Sequence, residues 1–467
     1  MEYWENGLVL NLLLLAGVLW LGTAIRSLPF LRTLGIPGSI LGGVLGLLLG
    51  KGVLGLVPLD TDLLELIVYH GLAFVFIAVS LQTPRKVSGG GGGRSGGALS
   101  IAIAIAFFLC LQAAIGMVIS MVMGIHPGFG LLMALGFEQG PGQALAMGNA
   151  WESTGLQDGA QVGLIIAAIG FAWSIFIGVP LAAWGRRRQL NADLSRFDLP
   201  PSPSDNADDT AQQEPGSLEA LSRQLIAIGI AYLLTYGLVS TAAGYFVDAG
   251  MDNLAHTAWG FHFIFGALFG MVIRVGIARA PVDSPLDDRL LGRLAGLAVD
   301  VVTCAALAAV QVEVLTANLI PILVITSVGG IVTLVFTVWL SARSFPTASF
   351  EHCVMLFGMV TGTLPMGLAL LRTLDPEMRT PASINAVVGS AMSIPLVAVF
   401  LLGLLPLAIN PWPTGYPGGG FIATGAFVVY GVGLIVLWRV VGPLRFVQPL
   451  SMWPDQNTDE EGTRQSA

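Results

Sequence analysis

Long apolar stretches separated by short polar ones run along almost the whole chain. A hydrocarbon core of about 30 Å requires about 20 consecutive apolar residues in a helix, and by this measure the pattern predicts eleven membrane spans. We place them at roughly 7–27, 34–57, 64–83, 98–124, 160–184, 224–246, 258–275, 294–313, 319–341, 382–409 and 421–440. The sequence therefore predicts an all-α, polytopic membrane protein.

Two further apolar segments, about 129–150 and 350–371, are interrupted by glycine, proline and polar residues. Between the two halves of the chain, residues 185–222 are rich in Asp, Ser, Pro and Gln, which is typical of a flexible linker. From Asp455 onward the chain is polar again, and we expect a disordered tail there. These polar regions are expected outside the membrane.

The composition supports this interpretation, because 54% of the residues are apolar and only 11% are charged, against about 25% charged in soluble domains. Cys110, Cys304 and Cys353 lack the spacing of a disulfide framework or a zinc site. There is no basic patch with interleaved aromatic residues, so nucleic acid is not an expected partner. No basic residue precedes Arg26, which favours a permanent first span over a cleaved signal peptide.

The basic residues predict the orientation, because cytoplasmic loops of membrane proteins carry an excess of Lys and Arg. If the N-terminus lies outside and each interrupted segment returns to the side it came from, 20 of the 21 basic residues fall in the cytoplasm and only Lys51 falls outside. If either segment crossed fully, every later loop would change sides and the bias would be lost. We therefore predict two re-entrant hairpins and a cytoplasmic C-terminus.

The two halves share one plan of four spans, an interrupted glycine-rich segment and a fifth span. Residues 1–184 form the first repeat, 223–410 the second, and 411–467 add an eleventh span and the tail. Each half crosses the membrane an odd number of times, so the second repeat is inverted. In this alignment Gly140 corresponds to Gly362. Inverted repeats with broken helices at matching positions indicate a transporter whose binding site lies near the midplane.

Broken helices at membrane depth can bind ions and solutes. The N–H groups at a half-helix N-terminus attract anionic groups, and free carbonyls hold a hard cation such as Na⁺. Glycine lets backbones approach closely and proline ends a helix, and both occur in Gly140-Pro141-Gly142 and in Thr363-Leu364-Pro365-Met366-Gly367. The sequence therefore predicts the site at these two breaks.

The candidate binding residues are polar residues and glycines in or beside the breaks, together with one acid in the eighth span. They are Glu138, Gln139, Gly140, Gly142, Gln143, Asn149, Thr361, Gly362, Thr363, Gly367 and Asp300, with Gln112, Gln311 and Glu313 as weaker candidates. Ionisable residues at such depth are functional by default. Three structural alternatives stay open: Glu138 bonded to the hairpin backbone, Asp300 paired with Arg293, and back-bonding of the threonines to helix carbonyls.

Motifs for other chemistry are missing. The run Ser88–Gly97 is rich in glycine but lacks the lysine of a phosphate-binding loop, so we interpret it as a connector. We find no motif for ATP-driven pumping or for hydrolysis, and we predict no enzyme activity and no cofactor beyond a coupling ion.

The layout resembles the bacterial sodium/glutamate symporter (ESS) family over roughly residues 7–410, with Ile36-Pro37, the following Gly42-Gly43 and the two interrupted segments as the best local matches. The resemblance implies Na⁺-coupled uptake of glutamate or a related small anionic or zwitterionic solute. It further implies elevator-like alternating access and a homodimer in the bacterial inner membrane. By position it assigns the binding site to Gly140, Gly142, Gln143, Gly362, Thr363 and Gly367, and Na⁺ to Thr361, Thr363 and nearby carbonyls.

The first interrupted segment departs from the family's pattern. Relatives of the glutamate carriers have Gly-Gly-His-Gly-Thr where this chain has Glu138-Gln139-Gly140-Pro141-Gly142. A carboxylate beside an acidic substrate is unfavourable unless a cation neutralises it, so L-glutamate itself is in question. A proton-coupled carrier using Glu138 or Asp300, a channel, and a receptor that keeps the fold remain alternatives.

Overall fold

The computed structural model describes residues 7–28, 31, 36–83, 94–197, 217–279, 286–409, 418–446 and 451–453. Within these ranges every regular element is helical. The α-helices are α1 (Leu8–Arg26), α2 (Gly38–Leu49), α3 (Thr61–Ser80), α4 (Arg94–Met123), α5 (Gly128–Ala134), α6 (Pro141–Glu152), α7 (Gly159–Phe176), α8 (Gly178–Arg187), α9 (Ser217–Asp248), α10 (Asp252–Gly260), α11 (His262–Arg279), α12 (Asp288–Ala308), α13 (Val312–Ala317), α14 (Leu319–Ser344), α15 (Ser349–Leu374), α16 (Ala382–Ala398), α17 (Leu405–Ile409) and α18 (Gly418–Val441). Residues 88–93 of the glycine-rich run, 198–216 of the predicted linker and the tail beyond 453 lie outside the described residues.

Eleven helical stretches of the described chain are long and apolar enough to cross a membrane, which confirms an all-helical membrane protein. This set of eleven helices differs from the eleven predicted spans, because it includes Ser349–Leu374 and lacks the predicted span 34–57. There α2 has only 12 residues and ends at Gly50, whose backbone is extended. At 1.5 Å per residue α2 is about 18 Å long. Residues 38–57 are therefore a short helix followed by a non-helical stretch at 50–57 and not the one continuous helix that the apolar pattern predicted, while α2 keeps its place as the second helix of the predicted repeat.

The first interrupted segment, from α5 to α6, is not a straight rod. A π-helical turn, Leu135–Gln139, leads to Gly140 at φ 92° and ψ 178°, and Pro141 begins α6 at a position where its missing N–H has no cost. At the two ends, His126 Nε2 lies 3.3 Å from the carbonyl oxygen of Thr154. A straight helix would hold these residues about 42 Å apart. The chain therefore doubles back, and we call residues 128–152 the first broken segment and 135–140 its tip.

The second interrupted segment, α15, has one break. Gly362 (φ −157°, ψ 25°) and Thr363 (φ 70°, ψ 170°) leave the helical conformation and divide α15 into two arms. A Cβ placed on Gly358 would lie 2.8 Å from the Cα of Gly367, although a straight helix would separate these residues by about 13 Å. The arms therefore pack against each other. We call α15 the second broken segment and residues 362–366 its tip.

Pairs of glycines seat the first broken segment between its neighbouring helices. Gly116 of α4 lies against the backbone of Gly130 in α5, and Gly148 of α6 lies against the backbone of Gly159 in α7. A Cβ at any of the four would clash with main-chain atoms. Small residues permit this close approach of helices in membranes, and here they form two seams with no side chain between the backbones.

Candidate functional site

The two tips meet in the core of the protein. A Cβ placed on Gly140 would lie 2.8 Å from Thr363 Cγ2. Gly140 and Thr363 also share a backbone conformation that is almost exclusive to glycine, and a β-branched residue adopts it only where the surroundings impose it. By conformation, the counterpart of Gly140 is therefore Thr363, one residue beyond the Gly362 that sequence spacing paired with it.

Helix α7 lies against both tips. A Cβ on Gly170 would lie 2.5 Å from the carbonyl oxygen of Thr361 and 2.9 Å from Phe137 Cδ1. Thr361 Oγ1 lies 2.7 Å from Ser174 Oγ and donates to the carbonyl oxygen of Phe357 at 2.7 Å. A hydroxyl has one proton, and both 2.7 Å contacts are satisfied when Ser174 donates to Thr361 and not to the carbonyl oxygen of Gly358, which lies 3.4 Å away. The back-bonding alternative is thus present at Thr361, which keeps one lone pair for a further partner.

Helix α4 adds a buried amide that the sequence marked only as a weaker candidate. Gln112 Nε2 donates to the carbonyl oxygen of Val360 at 2.8 Å and to Thr333 Oγ1 at 3.2 Å. Its Oε1 has no hydrogen-bond partner. Gln112 therefore connects a helix of the first half to the second broken segment and to α14.

The first tip encloses a carboxyl group. Glu138 is 7% exposed, and neither of its side-chain oxygens has a hydrogen-bond partner in the part of the chain that the structure describes. The alternative in which this carboxylate is bonded to the segment's backbone is therefore wrong. Beside it, Gln143 Nε2 donates to Gln139 Oε1 at 3.1 Å, while Gln143 Oε1 has no partner. A buried carboxylate is strongly unfavourable without a proton or a cation, so this tip requires one of the two.

The second tip opens on a cavity of about 270 Å³. Its lining includes Thr363 and Pro365 of the tip, Ser39 at the start of α2, Phe171 of α7, and Asp300 and Thr303 of α12. These residues come from four parts of the chain that are far apart in sequence. The cavity therefore exists only in the folded protein.

Asp300 lies near the middle of α12, which begins at Asp288 and ends at Ala308. The sequence had placed it near the end of the span 294–313. No residue that the structure describes forms an ion pair with Asp300, and Arg293 lies seven residues away, about 10 Å along the helix. The pairing alternative is therefore wrong, and the Asp300 side chain, although exposed, lines the cavity.

Some predicted candidates lie apart from the tips or serve packing. Asn149 is exposed on α6. A Cβ on Gly142 would lie 2.9 Å from a methyl carbon of Leu72. Gly367 lies on the seam between the two arms of α15, beside Met359. The structure thus brings together the polar and glycine residues at the two tips and adds Asp300 through the cavity.

Sequence reasoning missed Ser39, Thr303, Phe171 and Ser174. Two of them had a signal: Ser39 directly follows the Ile36-Pro37-Gly38 run, and Thr303 is three residues after Asp300, on the same helix face. Ser174 and Phe171 sit in an apolar helix without any distinguishing pattern. Their role follows only from the contacts of α7 with the second tip.

The donor set of the site consists of oxygen atoms. Among the described residues, no group of three or more His, Cys, Asp or Glu side chains is placed to hold a metal ion. Hydroxyl, carbonyl and carboxylate oxygens are ligands for a hard monovalent cation. The arrangement at the tips is chemically compatible with Na⁺ as a transported ion.

The sequence model of one family, described as sodium/glutamate symporter, matches residues 7–370, which is 364 of the 467 residues. A comparison with curated proteins found no match. The matched stretch contains both tips and α12 and ends inside α15, so α16, α17 and α18 lie beyond it. The whole candidate site falls within the match.

Proposed function

This chain belongs to the sodium/glutamate symporter family, and we propose that it carries glutamate or a related small anionic or zwitterionic solute by Na⁺-coupled symport. The family is one of transporters, so the protein is a membrane carrier and not an enzyme. The observation that carries the proposal is the contact of two helix breaks, at Gly140 and Thr363, in the core. Irregular backbone at membrane depth is tolerated only where it is buried in protein or lines a cavity.

We place both broken segments in the membrane as re-entrant hairpins, the first from outside and the second from the cytoplasm. This placement is supported by the meeting of His126 with Thr154 and of Gly358 with Gly367, and by the distribution of basic residues. It puts the N-terminus outside and the C-terminus in the cytoplasm of a bacterial inner membrane. It also makes 1–184 and 223–410 inverted five-helix repeats, with 185–222 as a cytoplasmic linker and 411–467 as an added span and tail.

In this proposal, solute and ion bind where the half-helices begin. The first turns of α6 and of the second arm of α15 have free N–H groups and a partial positive charge that favour an anionic group. Na⁺ is held by the hydroxyls of Thr361 and Thr363 with nearby carbonyl oxygens. Transport proceeds by an elevator-like movement of the two tips with α4 and α7, and the protein works as a homodimer.

A specific observation favours a second candidate, a proton-coupled carrier. Glu138 is buried beside the breaks and both of its oxygens lack partners. A carboxyl group in such a place can bind a proton in one conformation and release it in another. Proton coupling through Glu138 would keep the same site and change the driving ion.

The experiment is uptake of labelled L-glutamate into proteoliposomes under an inward Na⁺ gradient and, in parallel, under an inward proton gradient. Na⁺-driven uptake supports the leading proposal, and uptake driven by protons supports the second candidate. With folded protein, the absence of uptake under both gradients removes glutamate and calls for other solutes.

Two control measurements separate carriers from the other protein classes. Exchange of external labelled for internal unlabelled solute is expected of a carrier and not of a channel. Stabilisation of the protein by a solute without any flux would favour a receptor.

A further inference from the structure

Four polar side chains line the cavity at the second tip and have no partner among the described residues. They are Ser39, Asp300, Thr303 and Thr363; Ser39 is 3% and Thr303 9% exposed, whereas Thr363 is half-buried and Asp300 is exposed. None of the four makes a side-chain hydrogen bond or ion pair with any other residue of the described chain. Serine and threonine in helices usually bond to a carbonyl of their own helix, and side chains as little exposed as Ser39 and Thr303 seldom lack a bond. Unsatisfied groups that face one cavity indicate a ligand.

The charge of the cavity indicates part of that ligand. Among the described residues that line it, Asp300 is the only charged one. A carboxylate with hydroxyls around it favours a cation. The volume of about 270 Å³ is several times the ~30 Å³ that one water occupies, so the cavity has room for a small organic solute. An ammonium group on such a solute matches the carboxylate and the hydroxyls.

The rest of the cavity indicates the remainder of the solute. Helix α2 begins after Pro37 at the cavity, and no side chain caps its first N–H groups. Such a helix start favours a carboxylate. Ile40, Phe171 and Met366 provide apolar wall. One cavity thus offers a negative side chain, a positive helix end and an apolar surface.

We propose that this cavity binds an amino acid with a small apolar side chain, its ammonium group at Asp300 and its carboxylate at the start of α2. The second carboxylate of glutamate would face Asp300 and would find no basic side chain among the described lining residues. The inference rests on the proposed function, since it takes the cavity as the solute site of the carrier. It revises one part of that proposal, because the carboxylate of the solute then lies at the start of α2 and not at the half-helices of α6 and α15. It changes the preferred solute from an acidic to an apolar amino acid.

Binding of labelled L-leucine to the purified full-length protein, in Na⁺ buffer without any gradient, tests the inference. We expect saturable binding. L-glutamate, 4-methylpentanoate, which lacks the ammonium group, and 3-methylbutylamine, which lacks the carboxylate, should each compete about tenfold more weakly than unlabelled leucine. Absence of leucine binding, or competition by glutamate as strong as that by leucine, would overturn the proposal.

Variants locate the binding. Asp300→Asn should lose about tenfold or more of the affinity for leucine, because the amide cannot balance the ammonium charge. Asp248→Asn is the matched control, since Asp248 is an exposed carboxylate at the end of α9 outside the cavity, and it should bind as wild type does. Thr303→Val should also weaken binding. Because it keeps the side-chain volume, it tests the cavity even if Asp300→Asn fails to fold. Thermal unfolding midpoints of the variants report on folding.

Two outcomes would overturn this assignment of Asp300. In the first, folded Asp300→Asn binds leucine as tightly as wild type. In the second, the variant loses only its stabilisation by Na⁺ alone and still binds leucine, which would make the cavity an ion site.

Separate flux measurements keep this inference apart from the proposed function. Leucine binding that depends on Asp300, without Na⁺-driven uptake of any amino acid, supports the inference and contradicts Na⁺-coupled symport. Na⁺-driven uptake of glutamate by a protein that does not bind leucine supports symport and contradicts the inference.

Discussion

The two broken segments share a backbone conformation and differ in chemistry. The first tip reaches this conformation with Gly140, which has no side chain to clash, and the second imposes it on Thr363. The first tip encloses an unpaired carboxyl group at Glu138, whereas the second opens on a cavity with hydroxyls and Asp300. The comparison shows that the same kind of helix break can lie beside different polar groups. The backbone conformation of a tip therefore does not determine its binding chemistry.

The largest effect is expected where the two tips touch. Gly140→Val should abolish uptake, because valine is strongly strained at φ 92° and its Cβ would lie 2.8 Å from Thr363 Cγ2. Gly362→Val should do the same, since its Cβ would lie 2.5 Å from Ser174 Oγ. The measurement is uptake into proteoliposomes.

The control for these variants is Gly237→Val in α9, where a Cβ meets nothing within 4 Å, and it should transport normally. Normal uptake by both tip variants would show that the tips are not the site.

The next effect tests the enclosed carboxyl group of the first tip. Glu138→Gln keeps the shape and removes the titrating group, so any proton-driven uptake should fall by about tenfold or more. The thermal unfolding midpoint should stay or rise, because a buried charge is replaced by a neutral amide. Uptake measured across a pH series, with and without Na⁺, checks this expectation. Unchanged Na⁺ and pH dependence would leave Glu138 without a coupling role.

Replacing Thr363 by glycine is expected to have two smaller effects, a gain in stability and weaker binding of Na⁺. Replacement by glycine relieves the strained conformation, and unfolding should become less favourable by about 1 kcal/mol. The hydroxyl is lost at the same time, so the half-saturating Na⁺ concentration should rise severalfold. Thermal unfolding and Na⁺ titration of uptake measure the two changes separately. Thr363→Ser keeps the hydroxyl, so its half-saturating Na⁺ concentration should stay that of the wild type. A loss of stability in Thr363→Gly would show that the backbone at Thr363 is not strained.

A modest effect is expected at the contact of α7 with the second tip. Ser174→Ala removes the hydrogen bond to Thr361, worth about 1 kcal/mol, and should raise the half-saturating Na⁺ concentration by a few-fold. Ser240→Ala, on the exposed part of α9, is the matched control. If both variants have the same half-saturating Na⁺ concentration, the contact of α7 with the second tip plays no part in ion binding.

The smallest effect is expected at Asn149. Its side chain is exposed on α6, away from both tips, so Asn149→Ala should leave uptake and solute affinity unchanged. A clear loss in uptake would mean that the site extends along α6 beyond the first tip.

The pattern of residues predicted the helices and the position of both breaks, because apolar length and the glycine and proline residues act locally. It did not predict the short α2, because the chain is apolar on both sides of Gly50 and Lys51, and Gly50 ends the helix there. It also paired Gly140 with Gly362, because the amino-acid sequence reveals the spacing of residues and not their backbone conformation.

The cavity could not be predicted as a unit. Ser39, Phe171, Asp300 and Thr363 come from four distant parts of the chain, and only the packing of α2, α7, α12 and α15 brings them together. The sequence selected Asp300 and Thr363 because each is polar at membrane depth. It had no means of joining them, or of adding an aromatic residue from an apolar helix.

The glycine seams of the first broken segment have a mechanical consequence. Where Gly116 meets Gly130 and Gly148 meets Gly159, main chain lies directly on main chain, so neither pair of helices can slide by a turn without larger side chains colliding. The stem of the segment is thereby fixed in register. The π-helical turn is packed in the same way, since a Cβ on Gly136 would lie 3.0 Å from the backbone nitrogen of Ala167. The first broken segment and α7 would therefore have to move together, as one body, in any movement that transport requires.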